Sequence, residues 1–130
     1  MSTLRRTGVL VITSVFAFGT TATVAQASTA RADSKAVARS MVSAHGWSRS
    51  QFTCLSRLWT RESNWNHRAH NRRSGAYGIP QALPASKMAS AGRDWRTNPR
   101  TQIRWGLGYI KKRYGSPCGA WAHFQSRGWY

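Results

Sequence analysis

RLWTRESNWNHRAHNRRSGAYGIPQ, residues 57–81, holds the one glutamate of a 130-residue chain, Glu62, between Trp59 and Trp65. The only other carboxylates are Asp33 and Asp94, against twenty Lys and Arg. A lone acid in so basic a chain is a poor candidate for a solvated charged face. Apolar tryptophan surface disfavours its ionised form, and so does the negative end of a helix finishing near Ser63. Arg57 and Arg61 act in the opposite sense where their guanidinium groups approach it. A carboxyl kept partly protonated near neutral pH can give a proton to a leaving oxygen, which is what breaking a glycosidic bond requires. The competing reading is an exposed Arg–Glu pair, which contributes little.

Upstream of this stretch, Ser48-Arg-Ser-Gln51 has the pattern of a capping box. The helix it opens sets Phe52, Leu55, Trp59 and Glu62 near one stripe, flanked by Cys54 and Leu58. Glu62 then sits where an apolar face meets a loop. Downstream, Asn66 to Ser74 is polar and basic, with Arg72 and Arg73 read either as a solvated loop or as contacts to anionic polymer. Gly75 to Pro80 reads as a loop or a minor hairpin, in which Gly75 permits a tight turn. Gln81 offers an amide to a sugar hydroxyl or acetamido group, or serves as a turn residue.

Four helices with little strand are expected. Asp33 or Ser34 caps a first helix with Val37, Met41 and Ala44 on one face, ended by Gly46. Pro84 to Ala91 is a short helix with Met88 inward, and Asp94 is expected to form a loop-fixing ion pair with Arg93 or Arg96, a catalytic acid being the alternative. Asn98-Pro99 opens the cleanest helix, whose core stripe is Ile103, Leu107, Ile110 and Tyr114. Gly106 and Gly108 each weaken that helix by about 1 kcal/mol relative to alanine, so close packing or ligand approach is expected there. Trp105 is assigned to packing and Tyr109 to a cleft. Cys118 to Gln125 forms the last helix. Seven tryptophans in so small a domain predict both an aromatic core and exposed rings that stack on sugar faces.

The first 27 residues have the layout of an export signal: Arg5 and Arg6, an apolar run from Gly8 to Phe18, and Ala25-Gln26-Ala27. That run is too short and threonine-rich for a membrane helix. A mature chain from Ser28 to Tyr130, with 28–33 as a flexible tail, makes one domain with one modest core. Its net charge falls from +17 to +15, since only Arg5 and Arg6 are lost. Such a chain concentrates on polyanions, including wall polymers. No nucleic-acid module is recognisable, and no membrane span is expected after processing. Cys54 and Cys118, two cysteines in an exported chain, default to one disulfide worth about 4 kcal/mol in the chain-entropy account. His67 and His70 lie in a loop and do not make a metal site with His123, so neither metal nor cofactor is expected. The fold class is mainly α, a small domain that is α+β at most, with a minor hairpin beside the loop after Glu62.

Two blocks then carry a resemblance: Arg61-Glu-Ser-Asn-Trp-Asn66 with Gly75-Ala-Tyr-Gly-Ile-Pro-Gln81, and Gln102-Ile-Arg-Trp-Gly-Leu-Gly-Tyr-Ile110 through Arg113-Tyr-Gly115. Together they resemble the soluble lytic transglycosylase domain of the lysozyme-like superfamily. The nearest likeness is to short secreted actinobacterial members with a Cys-Gly-Ala-Trp segment, here Cys118 to Trp121. The resemblance covers about Val37 to Tyr130. It implies a monomeric, wall-associated enzyme that cuts the β-1,4 bond between N-acetylmuramic acid and N-acetylglucosamine in peptidoglycan strands. Glu62 would be the sole catalytic acid and base, with a 1,6-anhydro product. Ser63, Tyr77, Gln81 and Tyr109 would shape or line the cleft. The family's AYNAG ending is replaced by Ala122-His-Phe-Gln-Ser126, which leaves Phe124 and Gln125 nearest to its tyrosine. The rival readings are a non-catalytic cationic wall-binding protein and a hydrolytic muramidase.

Overall fold

The computed structural model describes residues 21–130, so the basic and apolar start of the expected export signal lies outside the described residues. Among the described residues four α-helices carry the fold: α1 (Thr21–Ala44), α2 (Arg49–Ser63), α3 (Pro99–Tyr114) and α4 (Pro117–Arg127). A single 3-10 helix, Ala85–Ser90, stands between α2 and α3 with Met88 fully buried. Among the described residues no helix is long and apolar enough to cross a membrane.

Helix α1 corrects the expected tail. Residues 28–33 are helical, and neither Asp33 nor Ser34 starts the element. Ala30 and Ala32 lie in that stretch and Ala25 and Ala27 just before it, and alanine has the highest helix propensity of any residue. The inward face is also one position off the expected one. Ser34, Ala38 and Val42 are buried, and Val37 and Met41 pack at the edge.

Helix α2 buries Phe52, Leu55, Leu58 and Trp59 against Ile103, Leu107 and Ile110 of α3 and Ala120 of α4. The expected capping box does not close. Ser48 makes no side-chain cap bond, and Gln51 reaches across to accept a hydrogen bond at 2.9 Å from the Cys118 backbone N–H. That donor is one of the unpaired N–H groups of the first turn of α4, so the glutamine caps the neighbouring helix instead of its own. The Cys54–Cys118 disulfide, with Cα atoms 4.9 Å apart, joins the same two helices.

The loop after α2 contains two isolated antiparallel bridges, His70 with Tyr77 and Tyr77 with Ala82, in place of continuous hairpin strands. A buried side chain does the organising. Gln102 of α3 accepts from the Ile79 N–H at 2.9 Å and donates to the carbonyls of His67 and Trp95 at 2.9 and 2.8 Å. Gly78 is required beside it, because a Cβ there would lie 2.6 Å from Gln102 Oε1. Asp94 does fix the next loop, but without an ion pair to Arg93 or Arg96. It accepts from Thr101 Oγ1 at 2.6 Å and Asn98 Nδ2 at 2.7 Å, which holds its carboxyl below the ordinary value. Arg96 lies over the Trp95 ring instead.

Candidate active site

Glu62 lies in the last turn of α2, half-buried. Desolvation is the sole cause acting on its carboxyl, raising its pKa from 4.5 to about 7. Neither neighbouring arginine pairs with it: Arg57 is exposed, and Arg61 lies over the Phe124 ring at 6.0 Å. The exposed ion pair considered from sequence is therefore absent, and the carboxyl is held up by its dry setting alone.

The backbone around it is strained. Asn64 ends the helix in the left-handed region at φ 51°, and Trp65 follows at φ 59°. Across the loop, Gln81 stands at φ 54°. A bulky residue at positive φ costs about 1–3 kcal/mol and tends to occur where a site dictates the geometry. Ser63 holds the two segments together, with its hydroxyl directed at the Ile79 carbonyl (2.7 Å) and the Trp59 carbonyl (3.2 Å). Gln81 fixes the loop from the other side, its Nε2 donating to the carbonyls of Ala69 and Gly78 at 3.1 and 2.9 Å. Ser63 thus ties the end of α2 to the Gly-Ile-Pro loop, and Gln81 fixes the turn that follows.

Trp59, fully buried, underlies this arrangement. Its ring meets Trp65 edge-on at 5.3 Å, and Gly106 of α3 lets it approach so closely that a Cβ there would sit 2.7 Å from the indole. Close packing is therefore what Gly106 provides. Gly108 has open space in front of it.

The indole N–H of Trp59 donates at 2.8 Å to the hydroxyl of Tyr130, which donates at 2.7 Å to the Pro80 carbonyl. Burial raises the Tyr130 phenol well above its ordinary value, and the nearby charge of Glu62 raises it further. Tyr130 therefore links buried Trp59, the Gly-Ile-Pro loop and a groove. That groove, a cavity of about 200 Å3, is lined by Pro80, Gln81, Tyr109, Trp129 and Tyr130 among others. Trp105, assigned above to packing, also lines it and stacks on Tyr109 with ring centroids 5.2 Å apart.

Of the residues expected from sequence, Gln81 and Tyr109 reach the groove. Tyr77 instead spends its hydroxyl on the Arg96 carbonyl at 2.8 Å and packs on Trp95. Phe124 stacks on Trp121, and Gln125 is exposed; neither lines the groove. Tyr130, which does line it, is the residue that sequence reasoning overlooked. The only available signal was a second aromatic pair, Trp129-Tyr130, after the last helix.

Residues 44–125 match the family described as Transglycosylase SLT domain. The chain belongs to that family. The SLT domain brings a lytic-transglycosylase-type, peptidoglycan-directed function, and the mainly helical architecture with one disulfide is consistent with a lysozyme-like fold. No curated protein and no solved structure matches the chain. The SLT match covers Glu62, the loop to Gln81 and α3, and stops five residues short of Tyr130.

Proposed function

We propose that this SLT domain cleaves the β-1,4 bond between N-acetylmuramic acid and N-acetylglucosamine using Glu62 alone, and leaves 1,6-anhydro ends. The supporting observation is a single glutamate, free of hydrogen bonds and ion pairs among the described residues and held near pKa 7 by burial; it does not itself line the aromatic groove, but its charge is felt by Tyr130, which does. At neutral pH a large fraction of it carries the proton that the leaving oxygen needs. As the C1–O bond breaks, Glu62 gives that proton to the departing 4-oxygen. The muramic C6 hydroxyl then attacks C1 and returns its proton to Glu62. No water is consumed and the acid is regenerated.

This route suits a chain without a second usable carboxylate. Most glycosidases need two flanking the bond, but here Asp33 lies exposed on α1 and Asp94 is engaged by Thr101 and Asn98. Tyr130 acts as a positioning residue that holds Trp59 and the loop around the acid. We extend the proposal to export and wall association, in keeping with the basic, apolar start of the chain and its charge of +17. The test is digestion of purified sacculi followed by mass spectrometry. Products lighter by one water than reducing ends, formed by wild type and not by Glu62→Gln, are expected. Reducing ends would instead mark a hydrolytic muramidase, and equal release by both proteins would remove Glu62 from the chemistry.

A further inference from the structure

The stacked pair Trp105 and Tyr109 has a second side. Both rings line the groove described above and also an open depression of about 460 Å3, whose other lining residues are Ser90, Ala91, Arg104, Gly108 and Lys112. Two grooves therefore share one aromatic wall. The outer one has cationic rims: Lys112 and Arg104 are both exposed, and Arg104 spends one N–H on the Ala91 carbonyl at 3.0 Å. The charge of Arg104 is felt by Asp94, whose carboxylate is already hydrogen-bonded by Thr101 and Asn98. Gly108 leaves the middle of the depression open, with nothing within 4 Å of where a side chain would begin. Unlike Gly106, it has no packing reason to be glycine, and it costs its helix about 1 kcal/mol relative to alanine.

A linear glycan can occupy only one side of the wall, whereas a branched one can occupy both. Peptidoglycan is branched: its muramic residues carry short peptides ending in free carboxylates. We propose that the outer groove holds the acidic stem peptide of the strand whose sugars lie in the inner groove, its carboxylates facing Lys112 and Arg104. This rests on the transglycosylase reading of the inner groove and names which form of the polymer it prefers. Charge complementarity and a shared wall favour a stem peptide over a phosphodiester wall polymer, which has no reason to enter beside the sugar groove.

The experiment compares glycan strands that keep their stems with the same strands stripped by an amidase. Wild type is expected to show a KM about tenfold lower on stem-bearing strands, the effect of one charge-assisted contact. Lys112→Glu, which reverses the charge, and Gly108→Phe, which fills the depression, should each raise that KM by a similar factor. Neither should change kcat or the kinetics on stripped strands. Equal KM values for wild type on both strands would overturn the proposal, as would variants that weaken both substrates alike.

Tryptophan fluorescence of Glu62→Gln, titrated with a stem-bearing disaccharide and with its stem-free counterpart, measures the same preference without turnover. If no strand is cleaved but the stem-bearing ligand binds about tenfold tighter, the cleavage reading fails while the outer groove stands. If a teichoic-type phosphodiester abolishes Lys112-dependent binding and the stem contributes nothing, the groove belongs to that polymer and the proposal falls.

Discussion

Replacing Glu62 with glutamine should stabilise the protein, and only at high pH. In the fold the carboxyl titrates near 7, against 4.5 ordinarily. Between those values the native state holds a proton that the unfolded chain has released. The stabilisation from the buried protonated acid is therefore complete below pH 4.5 and is lost as pH rises to about 7. At full weight the shift is worth about 3 kcal/mol. Because the group is only half-buried, solvent screening reduces this to about 1–2 kcal/mol. Glutamine is isosteric and never ionises, so it avoids the loss. Thermal unfolding followed by circular dichroism should give the two proteins equal Tm at pH 4, and Glu62→Gln about 5–10 °C higher at pH 8. Titration of other groups affects both proteins alike, so the difference isolates this side chain. A Tm gap independent of pH, or a wild type more stable at pH 8, would falsify the claim that burial alone holds the proton on Glu62.

The same carboxyl sets the rate profile: kcat/KM should fall about tenfold per unit above pH 7 as the proton donor is lost, measured on soluble glycan strands. Tyr130→Phe leaves the Trp59 N–H and the Pro80 carbonyl without their shared partner; a loss of about 1–3 kcal/mol in urea unfolding is expected, together with reduced activity. On α3, Gly106→Ala drives a methyl to 2.7 Å from the Trp59 ring and should destabilise by about 1–3 kcal/mol. Two residues on, Gly108→Ala enters open space and should stabilise by about 1 kcal/mol, so thermal melts of the pair should move in opposite directions. Reduction of Cys54–Cys118 should cost about 4 kcal/mol by chemical denaturation, and loosening of α4 against α2 should appear in amide exchange.

What could be read in advance was what repeats locally. The stripes of α2 and α3 are spaced by helix geometry, and Pro and Gly punctuate their ends, so Phe52, Leu55 and Trp59, like Ile103, Leu107 and Ile110, fell into place. The position of Glu62 at the edge of an apolar face follows from the same periodicity. What escaped reading depends on partners far along the chain. Gln51 has the spacing of a cap for its own helix and serves another 67 positions away. Gln102 looks polar on a helix, yet it is buried among carbonyls supplied by two loops. Tyr130 meets Trp59 across 71 positions, a distance no periodic pattern spans. The first helix failed differently: a serine and an aspartate look like cap residues, but alanines on both sides carry the helix through them.

The bridging phenol has a practical corollary for anyone dissecting this molecule. A recombinant fragment trimmed to residues 44–125 would keep every position by which the family is recognised. It would also lack the hydroxyl that ties the Trp59 indole to the Pro80 carbonyl, and both C-terminal aromatic rings that line the groove. Such a fragment would be a poor witness to what the intact domain can do.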